Sequence, residues 1–421
     1  MNTILIKNIY CENKRKDVFI KDGKIDKIGD SLDFNADRII DGKNKAIIPG
    51  FYNMHTHAAM SLLRGYKDDV KLFDWLNAIW EIEDHLEEED MYWGTKLACL
   101  EMIKSGTTCF LDQYWMINTS AQAIKEMGMR ACLSYTFMDA GNKEKAEFNR
   151  KTCEKAFEDS KKWDSRIQFA VGTHSIYTVC EENLKFTHDF ARANNILEHI
   201  HVAETEVEYN ESIKKYGLSP VQYLDSLGAL SDSVVAAHCV WLNEKDIKLL
   251  GERGVTVTHN PNSNLKLGSG YRFLYNELKA AGANVTIGTD GCGSSNNLDL
   301  LEAMKTASLL QKGWRGDATA LPINEILNIG TVNGAKALHL NGGKIEEGAL
   351  ADLCIIDLNS SRFVPNYNFE SNLIYSANSS CIETVICDGK IIMEDRQVPG
   401  EQEIIDNSRR VVDKLWKYKK N

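Results

Sequence analysis

The sequence predicts an α/β protein, a (β/α)8 barrel of the TIM type with a small composite β-sandwich domain built from both chain ends. Three observations predict it. Through the middle of the chain, short apolar runs alternate with helical stretches of about 10–20 residues, the signature of βα units on a parallel sheet. Eight such runs can be counted, the number of strands in a closed parallel barrel. The two chain ends differ from the middle and match each other: both show short β runs punctuated by turn signals.

Taken in order, Leu5 to Ile9, Val18-Phe19-Ile20 and Ile25 to Ile28 read as short strands. Asp22-Gly23 between two of them is a hairpin signal. The far end supplies Ala351 to Asp357 and Thr384 to Ile392, of the same character. The expected division is a composite β domain (1–48 and 345–400), a barrel (49–344) and a C-terminal helix (401–421). The candidate barrel strands are 46–50, 107–112, 130–137, 167–174, 196–203, 234–240, 255–259 and 284–289. Amphipathic segments such as 87–104, 119–127, 181–194, 243–252 and 298–312 separate them. The stretch 58–80 reads as a long loop. Its Leu62, Leu63, Trp75, Leu76 and Trp80 either cover a pocket or pack on the barrel or on a second subunit.

With 421 residues, 43% hydrophobic and 26% charged, the chain can build a large core. No apolar stretch approaches the ~20 residues of a membrane span, and the N-terminus lacks a signal-peptide pattern. The net charge of −11 argues against nucleic acid or an anionic membrane as partners. The 11 cysteines form no CxxC pair and many sit in apolar runs, so buried free thiols in a reducing compartment are expected, and with them a cytoplasmic location.

The first candidate strand is followed by a short turn and then His55-Thr56-His57. In extended chain, residues i and i+2 share a side, so both imidazoles can converge on one metal ion. Seven of the ten histidines (55, 57, 174, 199, 201, 238 and 259) fall within or just after a candidate strand. Active sites of such barrels are built where strands run into their following helices.

The motifs carry a resemblance. His55-Thr56-His57 after Pro49-Gly50, His201-Val202-Ala203-Glu204, Ala236-Ala237-His238-Cys239, the run 259–270 and the run 288–300 resemble the amidohydrolase superfamily. More narrowly they resemble its branch of 5′-methylthioadenosine/S-adenosylhomocysteine deaminases and related triazine-type hydrolases. The resemblance implies one divalent metal ion held by His55, His57, His201 and Asp290. Three imidazoles and a carboxylate suit zinc first, with ferrous iron the alternative. The fourth strand has no lysine to carry a second metal, which favours a mononuclear site. The resemblance further implies that Glu204 shuttles a proton to a ring nitrogen, that His238 bonds the attacking water or the oxyanion, and that Asp290 also takes the water's proton. Glu83 is expected to grip ribose hydroxyls and His174 to bind substrate beside the base, with Glu204 and Asp290 also in contact with it.

One departure concerns Tyr135, which stands where relatives often place an arginine; it is expected at the substrate, stacking or donating a hydrogen bond. A second family arginine has no clear counterpart, Arg150 lying close to its register. The expected function is hydrolytic deamination of an adenine nucleoside (5′-methylthioadenosine, S-adenosylhomocysteine, 5′-deoxyadenosine or adenosine) to the inosine analogue and ammonia. The alternative is an aminohydrolase or chlorohydrolase of another heterocycle, such as guanine, cytosine, a pterin or a triazine. The implied partners are a small-molecule nucleoside and further copies of the chain in a homo-oligomer. A non-catalytic scaffold is opposed by the complete ligand set, and a nucleotide-binding module by the lack of a Gly-rich loop after a strand.

Overall fold

The computed structural model describes residues 3–418. Strands β1 (Thr3–Cys11), β2 (Lys14–Lys21), β3 (Lys24–Gly29), β4 (Arg38–Asp41) and β5 (Lys45–Pro49) open the chain. Asp22 and Gly23 both adopt positive φ (49° and 77°) at the β2–β3 hairpin, which explains the Asp-Gly pair there. Eight parallel strands follow: β6 (Phe51–Thr56), β7 (Thr107–Tyr114), β8 (Arg130–Phe137), β9 (Ile167–Thr173), β10 (Leu197–Val202), β11 (Val234–His238), β12 (Thr256–His259) and β13 (Asn284–Ile287). Between β6 and β11 run α1 (Leu72–Glu83), α2 (Glu88–Lys104), α3 (Ile117–Met127), α4 (Lys143–Ser160), α5 (Glu181–Asn194) and α6 (Glu206–Tyr216). Strands β14 (Leu353–Asp357), β15 (Ile382–Cys387) and β16 (Lys390–Met393) return to the first sheet, and a helix over Glu401–Leu415 ends the fold.

The terminal strands form one mixed sheet in the order β16-β15-β14-β5-β1-β2-β3, with β4 beside β1. Its period-2 alternation sorts residues between two cores. Ile47, Leu353 and Ile355 join Ile4, Ile6, Val18 and Ile20 in the sheet's own apolar cluster. Ile48, Cys354 and Ile356 face the barrel's helical layer.

The first expected barrel strand, 46–50, is corrected here. Residues 45–49 pair antiparallel with β14 and belong to the terminal sheet; the barrel begins at Phe51. The switch falls at Pro49-Gly50. Gly50 N–H donates to the Asp352 carbonyl (2.9 Å) and Phe51 N–H to the Gly106 carbonyl (2.9 Å), so adjacent residues serve different sheets. A Cβ at Gly50 would lie 2.3 Å from Thr108 Oγ1, so only glycine fits the crossing. The expected loop 58–80 is also corrected. It holds a short helical turn (Ala58–Leu63) and most of α1, whose Leu72, Trp75, Leu76 and Ile79 are buried.

Within β6 a one-residue bulge separates Asn53, opposite Phe110, from Thr56, opposite Asp112. Tyr52 and Met54 cluster with Cys109, Leu111 and Cys132 of the lower barrel. Past the bulge the phase inverts, and His55 and His57 turn to the upper interior. The seam between β13 and β6 is bridged by Asn53, which donates to Thr289 Oγ1 (2.7 Å) and accepts from Thr289 N–H (3.0 Å), and by Asp290 N–H on the His55 carbonyl (2.9 Å).

The C-terminal helix braces the same region. Val411 and Leu415 pack with Leu72, Trp75 and Leu76. Lys414 reaches Glu87 (2.6 Å) and Asp90 (3.0 Å), and Tyr418 stacks on His85 at 3.9 Å. No helix among the described residues is long and apolar enough to cross a membrane.

A buried ion pair joins sheet to barrel. Arg130, at the start of β8, binds Asp352 (2.7 Å) and Asp388 (2.6 Å), and Asp352 is fully buried. Arg130→Ala leaves that carboxylate buried without its cation and is expected to cost about 3–5 kcal/mol. A urea unfolding midpoint unchanged from the parent chain would contradict this.

Candidate active site

Four donor atoms meet at the upper end of the barrel. His55 lies in β6 and His57 directly after it, His201 comes from β10, and Asp290 from the turn after β13. His55 Nε2 lies 3.4 Å and His57 Nε2 3.3 Å from Asp290 Oδ1, and His201 Nε2 lies 3.2 Å from His57 Nε2. A tetrahedron of nitrogen and oxygen ligands about 2.0–2.1 Å from zinc has edges of about 3.3 Å. The spacing therefore fits a divalent metal ion.

Hydrogen bonds at the far side of each ring support the same fit. His57 Nδ1 donates to the Gln113 carbonyl (2.8 Å) and His201 Nδ1 to the His174 carbonyl (2.7 Å). A carbonyl only accepts, so both rings carry their proton on Nδ1 and present a lone pair at Nε2. His55 Nε2 is buried with no hydrogen-bond partner in the protein, and its Nδ1 meets His199 Nε2 at 2.8 Å. Burial pushes His55 down to about 4, against the pull of Asp290, which keeps the ring neutral. Asp290 is held by Ser263 Oγ on Oδ2 (2.6 Å) and by its neighbour Gly291 N–H on Oδ1 (2.7 Å).

His238 ends β11 beside this cluster. As the Asn264 amide is oriented, its Nδ2 donates to His238 Nδ1 (2.9 Å), which leaves the His238 proton on Nε2. His238 thus faces the site as a donor, unlike His57 and His201. Its Nε2 lies 3.9 Å from Glu204 Oε2, and Glu204 Oε1 accepts from Ser269 Oγ (3.1 Å). Burial first, then the Asp290 charge, push Glu204 up to about 8.

The turn that carries Glu204 is pinned by Glu208 one helical turn later. The Glu208 carboxyl accepts the N–H groups of Ala203 (2.9 Å) and Glu204 (2.8 Å). Ala203, His238 and Asp290 all have positive φ (52°, 75° and 62°). Three strand ends therefore hold a conformation that non-glycine residues rarely adopt, as is common where side chains are aimed at a reacting centre.

A cavity opens above the cluster. His57, His201, Asp290, Glu204, His238, His174 and Glu83 line it, and Met60, Trp75, Leu76, Trp80 and Leu267 form apolar wall. Glu83, at the end of α1, accepts from Tyr114 OH; burial pushes it up to about 7. His174 lies against Trp80, with ring centroids 6.1 Å apart, and its Nδ1 is hydrogen-bonded to Thr178 Oγ1 (2.8 Å).

Two expected positions behave differently. Tyr135 does not reach the cavity. On β8 the inward residues are Ser134 and Thr136, so Tyr135 points outward, where it bonds Thr152 and packs on Phe137. Arg150 bonds Asn183 (2.5 Å) and Glu182 (3.1 Å) across α4 and α5 and is not among the lining residues. Glu208, Tyr114, Ser269 and Asn264 are functional neighbours that the sequence reading missed. Only the i+4 spacing of Glu204 and Glu208 hints at one of them.

Comparison with known proteins agrees with this geometry. The Amidohydrolase family model matches residues 46–392. A 5′-deoxyadenosine deaminase of Methanoregula boonei is 45% identical over 410 residues, covering 96% of this chain and 93% of the relative. A 5-methylthioadenosine/S-adenosylhomocysteine deaminase of Thermococcus sibiricus is 44% identical over 399 residues, covering 93% and 94%. The crystal structure of an adenosine deaminase from Xanthomonas campestris with bound zinc superimposes with a TM-score of 0.93 at 32% identity, covering 99% of this chain and 98% of that one. Family model, sequence relatives and barrel architecture coincide over nearly the whole chain, and the protein belongs to the amidohydrolase family.

Proposed function

We propose that the protein is a zinc-dependent deaminase of an adenine nucleoside, releasing ammonia and the inosine analogue. The reading rests on one observation: a buried glutamate, Glu204, lies 3.9 Å from a histidine donor, His238, beside a ring of metal-type ligands in one cavity. His55, His57, His201 and Asp290 would hold the ion, and the chemistry it would supply there is a lowered pKa of water, to about 7, which makes hydroxide available near neutral pH. Glu204 takes the proton of the attacking water and delivers it to the ring nitrogen beside the carbon under attack. That protonation makes the carbon electrophilic. His238 donates from Nε2 to the oxygen that gains charge as the C–O bond forms. Asp290 is the second acceptor for the water's proton. The oxygen's remaining proton passes through Asp290 to the exocyclic amine, the C–N bond breaks with its electron pair leaving on nitrogen as ammonia, and the new C–O bond becomes the carbonyl of the inosine analogue.

Glu83 accepts from the ribose hydroxyls. One of its oxygens is already committed to Tyr114, which holds the carboxylate in place. His174 and Trp80 flank the base and shield the reacting atoms from solvent. Among the described residues that line the cavity there is no lysine or arginine. A 5′-substituent ending in a carboxylate would find no partner there. The reading therefore favours 5′-deoxyadenosine, 5′-methylthioadenosine or adenosine over S-adenosylhomocysteine.

Ammonia release from these four nucleosides, guanine and cytosine, with zinc-loaded protein, tests the assignment. The uncharged nucleosides are expected to react fastest and S-adenosylhomocysteine slowest; no ammonia from any nucleoside refutes the reading. Treatment with a chelator should abolish turnover and zinc should restore it. Glu204→Gln is expected to lower kcat by about 10²–10⁴-fold with zinc content unchanged. Loss of zinc instead would place Glu204 in the ligand set. Glu83→Ala should raise KM for nucleosides by about tenfold or more, the scale of one lost charged hydrogen bond, and full activity in that variant would favour a substrate without ribose.

A further inference from the structure

His55 differs from the other two imidazoles of the cluster in what stands behind it. His57 and His201 lean on backbone carbonyls, which fix their tautomers unconditionally. His55 leans on another side chain: its Nδ1 lies 2.8 Å from His199 Nε2, with the rings perpendicular and their centroids 4.9 Å apart. An imidazole nitrogen can donate or accept, so this contact alone leaves both tautomers of His55 open.

The chain of contacts continues and removes the ambiguity. Ser134 Oγ donates to the Asp112 carbonyl at 2.7 Å, which commits its only proton. Towards His199 Nδ1, at 3.2 Å, Ser134 Oγ can therefore only accept. His199 is fully buried and its two ring nitrogens meet only Ser134 and His55, neither of them an anion that would balance an imidazolium, so it holds one proton. That proton sits on Nδ1, facing Ser134. His199 Nε2 is then an acceptor, His55 Nδ1 carries the proton between the rings, and the His55 lone pair is at Nε2. This is the atom buried without a hydrogen-bond partner and 3.4 Å from Asp290 Oδ1.

We propose that His199 is a positioning residue for the metal site, relaying the direction set by the Asp112 carbonyl and Ser134 so that His55 presents Nε2 to the ion. The inference rests on the four-ligand reading of the site. His199 is a neutral acceptor where many metal-binding histidines lean on a carboxylate. It orients His55 while raising the basicity of the ring less than a carboxylate would.

The test uses the full chain, stripped of metal by a chelator and titrated with zinc in competition with a chromophoric chelator. His199→Leu cannot accept from His55 and is expected to weaken zinc binding by about 10–100-fold, the range for lost outer hydrogen bonds at metal-bound histidines. His199→Gln offers an amide oxygen to the same proton and should recover most of that loss. Ser134→Ala frees the direction of the relay and should weaken binding less than His199→Leu. Nitrogen-15 histidine spectra of the metal-free parent chain should show His55 protonated on Nδ1, and those of His199→Leu a mixture of tautomers. Zinc binding by the parent with His55 protonated on Nε2 overturns the proposal and leaves the metal site standing. So does an unchanged zinc affinity in His199→Leu, or an equal loss in the Leu and Gln variants. Failure of the parent chain to bind zinc, with the Nδ1 proton in place, instead refutes the four-ligand reading and retains the relay.

Discussion

Everything at the upper end of this barrel depends on keeping several histidines neutral while fixing which nitrogen of each bears the proton. Water would otherwise choose the tautomer, and it is excluded here: His55, His199 and His238 are buried. Burial solves the first half of the problem, since a dry interior disfavours imidazolium. Hydrogen bonds solve the second half, ring by ring. Three rings turn a lone pair inward and one turns a proton inward, a difference traceable to a carbonyl, a serine or an asparagine amide behind each. The same cavity thus contains acceptors for a cation and a donor for an anion only a few ångströms apart.

The β scaffold determines which side chains can take part. A strand offers every second residue to the barrel interior, so one residue of register decides between the site and the helical layer. The bulge in β6 uses that rule, changing the phase between Met54 and His55 so that one strand fills the lower core and supplies two ligands. Positive φ at Ala203, His238 and Asp290 does the equivalent at three strand ends. Such conformations cost about 1–3 kcal/mol each and persist where surrounding contacts over-determine them. Glu208 provides such contacts at Ala203 and Glu204.

Much of this was legible in the sequence because strand ends carried chemically distinctive residues. Periodicity located β7 to β13 to within a few residues; His57, His201, Glu204, His238 and Asp290 line one cavity, and His55 lies beside them, 3.4 Å from Asp290. The misreadings share one cause. Apolarity reports burial but not which surface does the burying. Ala46-Ile47-Ile48 reads equally well as a barrel strand or as a strand of the terminal sheet, and only the crossing at Gly50 separates them. Tyr135 is expected at the substrate because it stands where relatives often place an arginine, yet the pleat turns it away. The aromatic stretch around Trp75 and Trp80 looked like a loop, yet it is helical, and its partners are distant in sequence: Trp75 Nε1 donates to the Gly293 carbonyl (3.1 Å). Glu208 and Ser134 carry no local sign of burial or of what they bond.

The terminal sheet has a consequence for how the chain is made. Strand β5 finds its partner β14 about 300 residues later. At roughly 5–20 residues per second on the ribosome, that partner emerges about 15–60 seconds after β5 does. Throughout that interval β5 has a free edge, the kind of surface that invites pairing with another nascent chain. Lys45 and Pro49, a charge and a residue without an amide proton, stand at its two ends and blunt that edge until the last quarter of the protein arrives.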